Sequence, residues 1–302
     1  MATPSIGVRR PSASWSAPLE RRSLLVPGRR HALPLLALLA VGFLAPLLAI
    51  IWFSVTPPRT FSIWQSPTFE NYHTIFAETF YRSFFWSLGL AVATVAILAA
   101  ICYPLAYGLA KVFGRWANLL TLLLVLPLFV SENVRLYGWI LFFIKGGVLS
   151  GTIKSLTGLE LGNFLFTPGM IVLGMVYVYL PFMLFPMTLG ISMVPRETAE
   201  AAADLGASRW QVFREVELPL AMPGITIGCL LTFVLAVGAI AEAKVLGGQS
   251  VIPITHDIEI AFTYAQNWPL GAALSVLLMI VVGALVLDIL RRFDLDRILG
   301  RR

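Results

Sequence analysis

Six stretches of the chain carry no charged side chain at all: Ala32 to Val55, Ser83 to Ala110, Trp116 to Ser131, Phe166 to Pro195, Leu218 to Ala241 and Trp268 to Leu287. An apolar run of about 20 residues crosses the hydrocarbon of a bilayer as a helix. Lipid offers no partner to an open backbone group, so each helix must satisfy its own ladder. These runs define an all-α integral membrane protein with six transmembrane helices. Composition agrees, since 58% of residues are hydrophobic, 13% are charged and the mean hydropathy is +0.83, values foreign to a soluble domain of this length. The third run is unusual because it continues through SENVRLYGWILFFI to Ile144, which places Glu132 and Arg135 inside the membrane or at its edge. The first run follows an arginine-rich tail of about thirty residues and has no small-residue cleavage site after it, so it reads as a retained span.

Lysine and arginine are held back on the cytoplasmic side. With the N-terminus inside, sixteen of the 22 basic residues fall in cytoplasmic pieces, among them Arg29, Arg30, Lys111, Arg115, Arg196, Arg209, Arg214, Arg291 and Arg292. Arg59, Arg82, Lys145 and Lys154 fall outside, while Arg135 and Lys244 lie within or beside spans three and five. Both termini are therefore expected in the cytoplasm. The organisation is a tail over 1–31, a six-helix domain over 32–290 with a cytoplasmic loop at 196–219, and a second tail over 291–302. The net charge of +6 follows from this bias and calls for no nucleic acid.

No metal site is expected, because His31, His73 and His256 are scattered and Cys102 and Cys229 sit in apolar runs, where free cysteine acts as a small hydrophobe. No phosphate-cradling G-x-x-x-x-G-K-[ST] element occurs, nor a supported catalytic constellation. The chain is not expected to be an enzyme or to hold a cofactor, and any nucleotide energy must be supplied by another chain.

The loop between spans four and five, RETAEAAADLGASRWQVFREVELP, is charged and helix-prone. A first short helix starts near Pro195 and ends at Gly206. Ser208 with Gln211 forms a capping-box pattern opening a second, whose Trp210, Phe213 and Val216 share one face. Pro219 is expected to close that helix before span five. So short a segment cannot bury its own apolar stripe, so Trp210 and Phe213 must rest on the ends of the spans or on another protein. The other reading of the residues is a loop lying in the headgroups, which its excess of acids suits poorly.

Glu200-Ala201-Ala202, Gly206 and Val216-x-Leu218-Pro219, at this spacing between spans four and five, resemble the EAA loop of the membrane subunits of bacterial ABC importers. FENYHTIF at Phe69 to Phe76, NVRLYGWI at Asn133 to Ile140 and Val245-Leu246-Gly247-Gly248 are similar to segments of the spermidine/putrescine type, the first of its two permeases in particular. The resemblance implies the type I ABC importer permease fold in a bacterial cytoplasmic (inner) membrane. It also implies a second homologous permease, an ATPase dimer that binds ATP and magnesium, and a periplasmic binding protein that delivers a small polar solute. Under it, Glu200, Ala201, Ala202, Gly206, Trp210, Leu218 and Pro219 are expected to couple the chain to the ATPase.

Charges within spans cost about 2.5 to 3.5 kcal/mol on insertion scales and so tend to face protein or water. Glu132 and Arg135 share a helix face, where they either neutralise each other or line the pathway. Tyr137 and Trp139 belong either to the pathway or to an interfacial aromatic belt. Glu242 and Lys244 are poorly spaced to pair and are expected to face a vestibule or a neighbour. In GAIAEAKVLGG the chain departs from the polyamine-type pattern, with Glu242 as its only acid and Lys244 beside it. That mixture suits a guided cation, or a zwitterionic or anionic solute such as an opine or an aminophosphonate. A secondary transporter would instead show an inverted repeat with broken helices, and no such self-similarity is visible.

Overall fold

The computed structural model describes residues 28–62, 64–159 and 162–292, with side chains from Pro34 onward. The expectations for residues 1–27 and 293–302 lie outside the described residues. The chain divides after Leu48. The first unit is the larger part of helix α1 (Gly28–Ser54), which tolerates Pro34 and Pro46 within it.

The second unit begins with the last turn of α1 and continues through α2 (Glu70–Ala77) and α3 (Phe80–Tyr107), which runs into a π turn, Gly108–Val112. Next come α4 (Trp116–Val125) with a 3-10 turn Leu126–Phe129, α5 (Glu132–Phe143), α6 (Val148–Thr157) and α7 (Pro168–Ser192). The loop helices α8 (Arg196–Asp204) and α9 (Arg209–Gln211) follow, with a π turn Val212–Glu217 leading into α10 (Leu218–Val237). The short α11 (Ala241–Val245) and α12 (Ile254–Thr263) precede the final α13 (Trp268–Arg292).

Among the described residues, six stretches are long and apolar enough to cross a membrane: Pro34–Ser54, Phe80–Val112, Glu132–Thr157, Pro168–Ser192, Arg209–Val237 and Trp268–Arg292. At about 1.5 Å per residue, the 25 residues of α7 extend roughly 37 Å, enough for the hydrocarbon.

The third run is not the continuous helix expected from Trp116 to Ile144. Trp116–Phe129 forms a shorter apolar helix, Val130 and Ser131 turn extended (ψ 135° and 138°), and α5 starts afresh at Glu132. The carboxylate of Glu132 stands in the first turn of α5, where the positive end of the helix dipole favours it. Hydropathy does not register such a break, because it averages polarity over a window and carries no information on backbone direction.

The core lies where α3, α7 and α10 pack together, filled by Leu98, Cys102 and Ala106 from α3 and by Met175, Met183, Leu184 and Met187 from α7. A second cluster of Ile75, Ile254, Ala273 and Leu274 joins α2 and α12 to α13.

The ENY segment has a structural task. Asn71 is buried, and its Nδ2 donates to the carbonyls of Ser54 (3.2 Å) and Thr56 (2.7 Å) just past the end of α1, while the Tyr72 hydroxyl donates to Ser54 Oγ at 2.9 Å. A helix end hidden from water needs such partners. Asn71→Leu is expected to lower stability by about 1–3 kcal/mol through the stranded carbonyls. A lower thermal midpoint of the detergent-purified variant checks this.

Candidate functional site

The loop after α7 adopts the helix, glycine, helix form. Pro195 precedes α8, and Gly206 turns the chain at φ +89°. Ser208 then makes the capping box: its Oγ accepts from the Gln211 amide at 3.3 Å, and the Gln211 carboxamide oxygen accepts from the Ser208 amide at 2.8 Å. Phe213 meets Tyr103 of α3 edge-on, with ring centroids 5.7 Å apart, and Trp210 leans on Phe213 at 5.2 Å. Leu205 is 91% exposed and Trp210 66%. Glu200 and Ala201 are also exposed, and Ala202 is half-buried.

Pro219 does not close the second helix as expected. The chain passes from α9 through the Val212–Glu217 turn straight into α10, with Pro219 in its first turn. A proline inside a helix removes one N–H and crowds the carbonyl four residues back. The widened π turn just before Pro219 takes those carbonyls out of the regular ladder, so the helix continues. Leu218 is half-buried at the junction. The turn is held from the side by α3: Lys111 Nζ donates to Glu217 Oε1 at 2.6 Å, and each side chain is only 13% exposed.

The pathway candidates fall into three groups. Glu242 on α11 is wholly buried against α5 and α7, and neither of its carboxylate oxygens makes a formed hydrogen bond. Glu132, Arg135 and Tyr179 act on it electrostatically. The residue lies outside the six spans, and its burial pushes the carboxyl above the usual carboxylate range. Arg135 and Glu132 form no ion pair with each other. Instead the Arg135 guanidinium sits over the Tyr177 ring at 5.7 Å, with its Nε left without a partner. Trp139 packs edge-on to Tyr177 at 5.4 Å and stacks on Phe143 at 5.5 Å, so it belongs to a packed aromatic cluster beside the charges. Tyr137 faces the other way and is 57% exposed.

Lys244 forms the third group, and it pairs with an acid that sequence reasoning passed over. Its Nζ donates to Glu259 Oε1 of α12 at 2.6 Å, and His256 Nδ1 stands 3.7 Å from Glu259 Oε2. Lys244 and His256, with Gln249, Ile260 and Tyr264, line a cleft of about 460 Å³. Tyr177 and Tyr179 were also missed, hidden in the apolar run of α7. Their signal was the spacing VYVY, two hydroxyl-bearing rings in an otherwise aliphatic span.

Membrane-length helices interrupted by one loop that exposes Leu205 and Trp210 are the frame in which the comparisons stand. The family described as binding-protein-dependent transport system inner membrane component matches residues 94–298, and the chain belongs to it. It is similar to the spermidine/putrescine transport system permease protein PotB of Escherichia coli (strain K12), with 35% identity over 222 residues, 73% of this chain and 80% of that protein. Similarity to the inner membrane ABC transporter permease protein YdcU of the same organism is 30% over 270 residues, 83% of this chain and 85% of that one. Among solved structures, a bacterial ABC transporter involved in the import of the acidic polysaccharide alginate superposes with a TM-score of 0.73 at 17% identity, covering 87% of this chain and 93% of that one. The fold is therefore that of an ABC importer permease. The chain is a multi-pass transport component of the bacterial inner membrane rather than an enzyme.

Proposed function

We propose that this permease forms half of the pathway for a polyamine-class solute, and that its 196–219 loop couples the pathway to an ATPase. The observation that carries the substrate half is the Lys244–Glu259 pair. A lysine left unpaired near the outer end of span five would repel a polycation, whereas one held by Glu259 does not. With that charge cancelled, the half-buried Glu132 supplies negative potential, backed by the buried Glu242 carboxyl, and the exposed Tyr137 supplies an aromatic face, the combination that attracts ammonium groups. The spermidine/putrescine function of the PotB relatives points the same way.

The partners follow from the family the chain belongs to and from what its loop exposes. A second homologous permease completes the pathway, a periplasmic binding protein delivers the solute, and an ATPase dimer holds ATP and magnesium. The exposed Leu205 and Trp210, on a loop too short to bury them, supply the apolar contact for the ATPase, with Glu200 and the small Ala201 and Ala202 beside them. ATP binding draws the two docked loops together, and the spans alternate between inward and outward access because the loop contacts differ between the two states.

Glu132→Gln together with Glu242→Gln is expected to lower spermidine uptake at limiting concentration by about tenfold, at roughly 1.4 kcal/mol for a factor of ten. Unchanged uptake would remove these carboxylates from the pathway. Orientation is tested separately. Cysteines placed singly at Ser208 and Ser155 are expected to be labelled from the cytoplasm and from the periplasm respectively. Periplasmic labelling at position 208 by an impermeant reagent would reverse the topology.

A further inference from the structure

Two helices leave the regular backbone ladder where they meet. Gly108–Val112 closes α3 as one π turn and Val212–Glu217 opens α10 as another. Such turns are rare and cluster at functional places. Lys111 of the first and Glu217 of the second, 106 positions apart in sequence, make the 2.6 Å ion pair described above, and both side chains are largely withdrawn from solvent. Two turns earlier on α3, Tyr103 meets Phe213 of the same π turn. The second half of the coupling loop is thus fixed to α3 by one charge contact and one ring contact.

We propose that the Lys111–Glu217 pair is a strut that delivers displacement of the coupling loop to α3. This rests on the reading of 196–219 as the coupling loop. The loop runs covalently into α10, so a push on α8 and α9 reaches α10 through the backbone. Among the described residues, the loop meets α3 and its closing turn through side chains, this ion pair and the ring contact among them. An ion pair removed from water is weakly screened and fixed in geometry, which makes it a stiffer link than an exposed pair. Lys111 also sits at the C-terminal end of α3, where the helix dipole favours a cation. Glu217 and Lys111 therefore act as positioning residues, and neither needs to touch the solute or the ATPase.

The test uses the complete transporter, with both permeases, the ATPase and the binding protein, reconstituted in proteoliposomes. Spermidine uptake and ATP hydrolysis are measured in the same preparation. Lys111→Gln and Glu217→Gln are each expected to lower uptake per ATP hydrolysed by about fivefold or more, the lower end of usual coupling effects, with the amount of ATPase recovered in the complex unchanged. The exchange Lys111→Glu with Glu217→Lys is expected to restore the ratio to within about twofold of wild type. An unchanged ratio in both single variants overturns the strut. So does an exchange variant that assembles fully yet stays as uncoupled as the single variants. Loss of the ATPase from the Lys111→Gln complex also overturns it, because the pair would then serve docking. If the single-variant permeases themselves fail to fold, so that little permease is recovered, the exchange variant and Lys111→Arg decide: coupled transport in both supports the strut, and uncoupled transport in assembled complexes overturns it. Failure of the underlying coupling-loop reading looks different, since the ATPase would then be absent from the wild-type complex.

Discussion

A Gly206→Val permease is expected to insert and fold normally and to transport nothing measurable. The backbone at position 206 stands at φ +89°, a region that a β-branched residue adopts only as an outlier. A Cβ built there meets no atom within 4 Å, so the penalty is backbone strain of about 1–3 kcal/mol rather than a clash. The chain escapes that strain by rotating the peptide out of the left-handed region, which swings α8 relative to the capped start of α9. The membrane helices do not depend on the turn, so the lesion is confined to coupling. Asn tolerates this region better than other side chains, and Gly206→Asn should retain a substantial part of the uptake. The measurement is uptake in cells lacking the wild-type gene, set against the amount of inserted permease. Normal uptake by the valine variant would remove the coupling assignment.

The second large effect is expected at Gly224, where the failure is one of folding. A Cβ on Gly224 would stand 2.5 Å from Gly190 Cα and 2.5 Å from the carbonyl of Pro186, so α7 and α10 cross backbone to backbone. Small residues permit such crossings in lipid, where dispersion contact replaces the hydrophobic effect between helices. The atoms in the way are main chain and cannot rotate aside. Gly224→Leu must therefore force α10 off α7 across the centre of the core, at a cost above the usual 1–3 kcal/mol of overpacking. Most of the variant should be degraded or aggregated, with little monodisperse permease recovered in detergent. Wild-type recovery would show that the helices are less closely crossed than described.

The local chemistry of the 196–219 loop is legible in the sequence because it is written in neighbouring residues. Ser208 and Gln211 announced the capping box, Gly206 announced the turn, and both are found as expected. Pro219 misled for the complementary reason. Whether a proline ends a helix depends on the turn before it, and the Val212–Glu217 turn is braced by Lys111 and Tyr103 from α3. The break at Val130 and Ser131 is not legible because a hydropathy window averages polarity and does not read backbone direction. Glu132 and Arg135 are neighbours on α5, as their spacing predicts, but Arg135 lies over the Tyr177 ring of α7, a contact that only tertiary structure creates. Lys244 looked unpaired for the same reason, since Glu259 approaches it from α12.

As proposed above, the permease moves a polyamine-class solute when an ATPase works on its loop. The most direct test is ATP-dependent uptake of labelled spermidine by proteoliposomes holding the permease with its second permease, ATPase and binding protein. Uptake is expected to require both ATP and the binding protein and to disappear with Gly206→Val in this chain. Uptake that proceeds without ATP, or a binding protein that selects only anionic ligands and delivers no amine, would contradict it.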